Sequence, residues 1–218
     1  EEKFLGHDEK TVEKKQIYAY YDRKLKQVKY LKEQNKQLKG DLISYGKFQR
    51  TRYMEGWDKL RIKTYDNFNP LLQCYTAGFI EGALTAKEIN YYYKNLHVLF
   101  KGSEKQIDQI KSFYSVLDKN IQERIKGDNF DKLNESEFKN LAYISCLHAQ
   151  INGLHQGYNS EVDDEKKLEL NDFYFINSEG NFGDIKSYMK VNSMKFNSEE
   201  EFFKDETLKE FYKTNDIN

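Results

Sequence analysis

The stretch that decides the fold is Cys74-Tyr75-Thr76-Ala77-Gly78-Phe79-Ile80-Glu81-Gly82-Ala83-Leu84-Thr85-Ala86. It predicts the end of a buried helix, into which small residues and one carboxylate are packed. A glycine inside a helix costs about 1 kcal/mol relative to alanine, so Gly78 and Gly82 require a packing reason. We expect another helix or a sheet to lie directly against this backbone.

Two side chains of this helix are candidate reagents. Cys74 is a possible thiol nucleophile with a distant histidine as its base, but its apolar, mid-helix setting favours a buried and inert thiol. Glu81 is either a general base or a structural acceptor for a neighbouring backbone group or the Trp57 N–H. The structural role is favoured, because a buried carboxylate needs a donor to stay ionised.

The remaining cysteine and the histidines provide no further reaction centre. Cys146 can bridge Cys74 if their helices are neighbours, and two buried free thiols are the favoured alternative. His148 and His155 are seven residues apart on one predicted helix, whereas direct chelation from a helix favours the shorter His-x-x-x-His spacing. We therefore expect core or helix-surface histidines, no metal site and no cofactor.

The composition excludes several classes of protein. The chain has 218 residues, with 35 Lys and Arg against 36 Asp and Glu, so no single-sign field indicates nucleic acid or an anionic membrane. Aromatic residues make up 15%, which is typical of a folded chain rather than a disordered one. No apolar run reaches the roughly 20 residues of a membrane-spanning helix.

Helix-start signals extend outward from the glycine-containing helix. Asn69-Pro70 predicts its first turn, because asparagine caps helices and proline at the first helical position loses no hydrogen bond. Three capping boxes predict the starts of three further helices. They are Thr85-Ala86-Lys87-Glu88, Ser103-Glu104-Lys105-Gln106 and Asn134-Glu135-Ser136-Glu137.

Strands are predicted on both sides of the helices, which gives an α+β fold. A hairpin is expected from residues 17–21 and 28–32, a second β region from 42–65, and a buried strand at 172–177. A short polar helix is expected at 198–211. We expect one domain over 16–197, with a flexible N-terminus at 1–15 and a polar C-terminal linker at 198–218.

Four motifs in order resemble the phospholipase B-like, or laminin-ancestor-type, family. They are Gly56-Trp57-Asp58-Lys59-Leu60, Ala77-Gly78-Phe79-Ile80-Glu81-Gly82 with Leu84-Thr85, Gln150-Ile151-Asn152-Gly153-Leu154 leading to Gly157-Tyr158, and Asp172-Phe173-Tyr174-Phe175-Ile176-Asn177-Ser178-Glu179-Gly180. Asn181 departs from the aspartate that the family usually has after that glycine. Within these motifs we expect structural rather than catalytic roles for Gly56, Trp57, Gly78, Glu81, Gly82, Gly153, Gly157 and Tyr158.

The resemblance implies a four-layer αββα fold of the N-terminal-nucleophile hydrolase type, completed by a second chain. Such precursors cleave themselves, and the downstream chain begins with a cysteine whose thiol attacks and whose α-amino group acts as base. This chain would be the upstream, non-catalytic fragment, and Asn218 would precede the cleaved bond. The expected reaction is hydrolysis of an amide or ester, including phospholipid deacylation.

The resemblance also implies a lysosomal or secreted glycoprotein whose leader has been removed. Asn134 lies in the Asn134-Glu135-Ser136 glycosylation sequon. The expected partners are the downstream catalytic chain and a lipid or amide substrate. The rival hypothesis is a stand-alone helical binding or scaffold module without catalytic activity.

Overall fold

The computed structural model describes residues 12–35, 41–101, 104–127 and 133–181. The predicted helix at 198–211, the linker at 198–218, the capping box at Ser103 and most of the predicted flexible N-terminus lie outside the described residues. The cleavage position at Asn218 lies outside them as well.

The strands form one antiparallel sheet in the order β2-β1-β3-β4. Their bounds are β1 Lys14–Asp22, β2 Gln27–Leu31, β3 Leu42–Gln49 and β4 Lys59–Thr64. The predicted hairpin is therefore confirmed as β1 and β2. The region 42–65 contains two strands, which are separated by the single-turn helix α1, Arg52–Glu55.

Within the described residues five longer helices follow the sheet, so the α+β class is confirmed. Their bounds are α2 Pro70–Leu84, α3 Ala86–Leu99, α4 Glu104–Gly127, α5 Glu135–Ser160 and α6 Leu170–Asn177. Short 3₁₀ turns occur at Asp164–Lys166 and Glu179–Asn181.

The three predicted helix starts at Asn69, Thr85 and Asn134 are confirmed, but the capping box expected at Thr85 does not form. The Asn69 side chain accepts a hydrogen bond from the Leu71 N–H at 2.8 Å, and Asn134 and Glu137 exchange both bonds of a capping box. Thr85 instead donates its hydroxyl to the Glu81 carbonyl at 2.7 Å, because it also ends the preceding helix. No capping box forms there.

The predicted strand at 172–177 is wrong, because these residues form α6. The Asp172 carboxylate accepts the Glu169 N–H at 2.8 Å, which stabilises the first helical turn. Phe173 packs with Tyr158 and Leu168, whereas Phe175 packs with Leu96 and Ile110. A helix lets these aromatic side chains fill two separate clusters, which pairing in a sheet would not.

The helix α2 packs against the sheet on one side and against α5 on the other. Its sheet-facing residues Ile80, Ala83 and Leu84 form one core cluster with Ile17, Ala19 and Phe48. Gly46 of β3 makes room for this contact, since a Cβ there would lie 2.1 Å from Ile80 Cγ2. The helix α2, which carries the stretch that decides the fold, is therefore the middle layer of the described structure.

Four glycines bring α2 and α5 into direct backbone contact. A Cβ at Gly78 would lie 2.0 Å from the Gln150 carbonyl oxygen, and one at Gly82 would lie 2.1 Å from the Leu154 carbonyl oxygen. In the reverse direction, a Cβ at Gly153 or Gly157 would lie 2.0 Å from a carbonyl oxygen of α2. We call this contact the glycine interface; it pairs a helix with a helix rather than with the sheet.

The face of the sheet opposite α2 has an aromatic half and a cationic half. The aromatic half is a cluster of tyrosine and leucine side chains: Tyr18, Tyr20, Leu31, Leu42, Tyr45 and Tyr65. The strand register places the cationic residues in adjacent rows of the same face: Lys14, Lys47, Lys59, Arg61 and Lys63. We call this surface the outer face of the sheet.

Gly82→Ala should destabilise the protein by about 3 kcal/mol, the upper part of the range for overpacking, because the new methyl group meets backbone that cannot rotate away. Urea unfolding measures the change. Gly180→Ala is the matched control, since no atom lies within 4 Å of its Cβ position, and it should change stability by less than about 0.5 kcal/mol. Equal stability of the two variants would contradict the glycine interface.

Candidate functional site

Glu81 lies beside the glycine interface and hydrogen-bonds the Gln150 side chain of α5. Burial raises the pKa of the Glu81 carboxyl, and the bond from Gln150 offsets only part of that shift. Trp57 is not the donor considered from the sequence, because its side chain is 70% exposed. The carboxyl therefore joins the two helices.

The Gly56-Trp57-Asp58 motif forms the turn between α1 and β4. Gly56 ends α1 with a φ of 89°, a left-handed conformation that glycine adopts without strain. Asp58 accepts the N–H groups of Thr51 and Arg52, each at 3.0 Å. The motif thus stabilises a backbone turn, while its indole points outward.

Ion pairs tie this turn to α3. Arg52 donates to the Asp58 and Glu88 carboxylates, and Arg50 pairs with Glu13 and Glu88 at 2.7 and 2.6 Å. Hydrogen bonds from Arg52 hold the pKa of the Asp58 carboxyl below its usual range, even though burial acts in the opposite direction. Glu88, expected to cap α3, is used in this network instead.

The Gly157-Tyr158 motif anchors the loop that follows α5. The Tyr158 side chain is fully buried; its hydroxyl donates to the Lys166 carbonyl at 2.8 Å and accepts from Asn90 at 2.9 Å. Asn159 holds the same loop by exchanging two hydrogen bonds with the Leu168 backbone. This end of α5 is therefore structural.

A buried carboxylate network joins α4, α5 and α6. Asp118 accepts the Tyr174 hydroxyl at 2.7 Å and lies 2.9 Å from His148 Nε2, and Gln122 donates to its second oxygen. Burial alone would raise the pKa of the Asp118 carboxyl, but these bonds hold it below its usual range. The sequence carried no signal of this network, because its members are distant in the chain.

The two histidines contact different elements, and Cys74 has the setting of an unreactive thiol. His148 contacts Asp118, whereas His155 Nε2 lies 3.0 Å from the Leu168 carbonyl, so the two rings serve different elements. Burial, together with the neighbouring Cys146 thiol, raises the pKa of Cys74 to about 11. A thiol with that pKa is almost entirely protonated at neutral pH and is a poor nucleophile.

The described residues contain no group of three or more His, Cys, Asp or Glu side chains that could hold a metal ion. None of the helices in the described ranges combines the length and the apolar character needed to cross a membrane. What the described chain offers chemically is a rigid helix pair, buried polar links between helices, and the two-part outer face of the sheet.

Trp57→Ala should cost less than about 1 kcal/mol, since the indole is mostly solvent-exposed. The adjacent change Asp58→Ala should cost about 2 kcal/mol, because it removes the acceptor of two backbone N–H groups and an ion pair. Chemical denaturation of both variants tests the turn. A larger loss of stability for Trp57→Ala than for Asp58→Ala would contradict the role of Asp58 in stabilising this turn.

Glu81→Gln should stabilise the protein at pH 7. A raised pKa means that folding disfavours the ionised carboxylate, so wild-type stability falls as the pH rises above the usual carboxyl pKa. At a pH below that value Glu81 is protonated in both the folded and unfolded states, and the advantage of glutamine should disappear. Urea midpoints of both proteins between pH 4 and 8 measure the difference; a constant or inverted difference would disagree with a buried Glu81.

Comparison with known proteins identifies the group to which the chain is similar. The sequence profile described as Phospholipase B matches residues 44–215, which include most of β3, all of β4 and the helices from α1 to α6, whereas β1 and β2 precede the match. Phospholipase B-like protein D of Dictyostelium discoideum is 28% identical over 156 residues, covering 69% of this chain and 25% of the relative.

Two snake proteins give similar matches. Phospholipase B of Crotalus adamanteus is 28% identical over 147 residues, covering 65% of this chain and 25% of the relative. Phospholipase-B 81 of Drysdalia coronoides is 31% identical over 176 residues, covering 78% and 29%. The chain spans about a quarter of the length of these curated relatives. Since the profile covers more than three quarters of the chain, the chain belongs to the Phospholipase B family.

Proposed function

We propose that this chain is the upstream, non-catalytic portion of a phospholipase B-like hydrolase. The observation that carries the proposal is the family match over residues 44–215, which spans the helices α1 to α6 and the β3–β4 half of the sheet. The relatives are about four times as long as the matched region, which leaves most of the family's chain to supply the reaction centre. The reaction is hydrolysis of an ester or an amide, with phospholipid deacylation as the first candidate.

The nucleophile is a cysteine that follows Asn218 in the precursor. Autoproteolysis after Asn218 frees the cysteine's α-amino group, which then takes the proton of its thiol. The environment of Cys74 supports a nucleophile outside the described residues, because burial raises its pKa and its neighbour is another thiol rather than a base. The downstream chain is therefore the catalytic partner.

The outer face of the sheet receives the second sheet of a four-layer αββα domain. In its aromatic half Tyr45 and Tyr65 are only partly buried, and they offer the kind of apolar surface that packs between stacked sheets. In the cationic half Lys47 and Arg61 lie directly opposite each other, an arrangement that destabilises an isolated strand pair. An anionic group over these residues, such as the phosphodiester of a phospholipid, removes that repulsion.

The route of the protein is secretory, ending in the lysosome or outside the cell, with Asn134 glycosylated. Asn134 is exposed, and it caps α5 through its side-chain oxygen, so the amide nitrogen that carries a glycan is not used by the cap. A glycan at this position is compatible with the folded helix.

The experiment expresses the complete precursor and separates its products by denaturing electrophoresis. We expect this chain and a larger one, the latter beginning with cysteine by N-terminal sequencing. The purified complex should release fatty acid from phosphatidylcholine or hydrolyse an N-acyl amide. Alanine in place of the residue after Asn218 should abolish both cleavage and hydrolysis, whereas the control Cys74→Ala should preserve both.

A stand-alone binding or scaffold module predicts the opposite results. In that case the chain purifies alone as a monodisperse protein, shows one cooperative melt and supports no hydrolysis. Loss of hydrolysis in Cys74→Ala, with cleavage intact, would place the nucleophile in this chain and contradict the proposal.

A further inference from the structure

The two cysteines occupy matched positions on α2 and α5. In the glycine interface Gly78 faces Gln150 and Gly82 faces Leu154, so the facing residue lies 72 positions further along the chain in both cases (150 − 78 and 154 − 82). The two helices therefore run parallel with a fixed register. One turn before the first of these pairs, the same register places Cys74 opposite Cys146 (146 − 74 = 72).

The side chains are in contact as this register requires. The Cys74 thiol hydrogen-bonds the Cys146 thiol, and both are free and partly exposed. A disulfide needs Cα atoms about 4.4–6.8 Å apart, which is shorter than the usual 8–10 Å between packed helix axes. The glycine interface supplies that close approach, because its Cβ positions fall about 2.0 Å from backbone oxygens.

We propose that Cys74 and Cys146 form an inter-helix disulfide when the protein meets a small-molecule disulfide oxidant such as glutathione disulfide. One of the two cysteines attacks the oxidant as its thiolate and forms a mixed disulfide, which releases one glutathione thiolate. The other cysteine then loses its proton to solvent and attacks the protein sulfur of the mixed disulfide, which releases the second glutathione. Two protein thiols are oxidised to one disulfide, and one glutathione disulfide is reduced to two thiols.

The rate of closure depends on pH. Burial, together with the neighbouring Cys146 thiol, raises the pKa of Cys74 to about 11, so this group forms thiolate less readily than an ordinary cysteine. Closure should therefore become faster as the pH rises. This inference stands apart from the proposed hydrolase activity, because neither thiol takes part in that reaction.

The bond would hold α5 one turn before the glycine interface, where several of its side chains are exposed. Around Cys146 the side chains of Tyr143 and Leu147 are 67% and 48% exposed, whereas Gly153 and Gly157 are buried against α2. A covalent link one turn before the glycine interface extends the fixed register into this half of the helix. Because it also closes a long loop in the unfolded chain, it raises thermal stability.

The test equilibrates the complete protein in a reduced and oxidised glutathione buffer, alkylates the free thiols and maps the peptides without reduction. We expect a linked peptide pair that contains Cys74 and Cys146 and has lost two hydrogens. Reduction with dithiothreitol should lower the Tm by about 10 °C. Cys74→Ser and Cys146→Ser should each melt at the same temperature with and without the reductant.

A register control separates this bond from non-specific oxidation. The double variant C146S/L147C keeps two cysteines but moves one of them by a residue to an exposed position on α5, and it should yield no linked pair. The proposal is overturned if both wild-type thiols are found alkylated, or if only separate glutathione adducts or intermolecular dimers form. It is also overturned if C146S/L147C forms a disulfide with Cys74 as readily as the wild type does. If the serine variants fail to fold, peptide mapping of the wild type decides alone.

Discussion

Direct backbone contact between α2 and α5 is the constraint on which the rest of the described structure depends. Carbonyl oxygens occupy the space where Cβ atoms of Gly78, Gly82, Gly153 and Gly157 would stand. This contact fixes a single parallel register, since sliding either helix by one residue would drive side chains into backbone. The entropic cost of glycine in a helix is offset by close packing over a long surface.

The register of this helix pair sets the positions of the polar links around it. Glu81 meets Gln150, Cys74 meets Cys146, and Tyr158 reaches Asn90 and the loop after α5. On its other side α2 presents Ile80 to the sheet, where Gly46 gives it room. One helix thus connects the sheet to the helical layer, and the glycines of two of the four motifs bring that helix against α5.

Sequence reasoning succeeded where the signal is local. Asn69-Pro70 and Asn134 begin helices because their side chains satisfy backbone N–H groups in the first turn, which needs no distant partner. It failed at 172–177, because a short aromatic run has the same apolar character in a buried strand and in a buried helix. The local sign of a helix was Asp172, whose carboxylate accepts the Glu169 N–H and so stabilises the first helical turn. Trp57 was considered as a donor to the buried Glu81, yet its side chain lies on the surface.

The sequence by itself determined the α+β class, the hairpin, four of the five longer helices and the family resemblance, since these depend on residue order, periodicity and capping. Only the tertiary structure decided that Gly78 and Gly82 meet a helix rather than the sheet. It also decided that Asp118, His148 and Tyr174 converge, and that Cys74 contacts Cys146. Residues far apart in the chain are brought together by packing, and packing depends on the shapes of several elements at once, which no local pattern encodes.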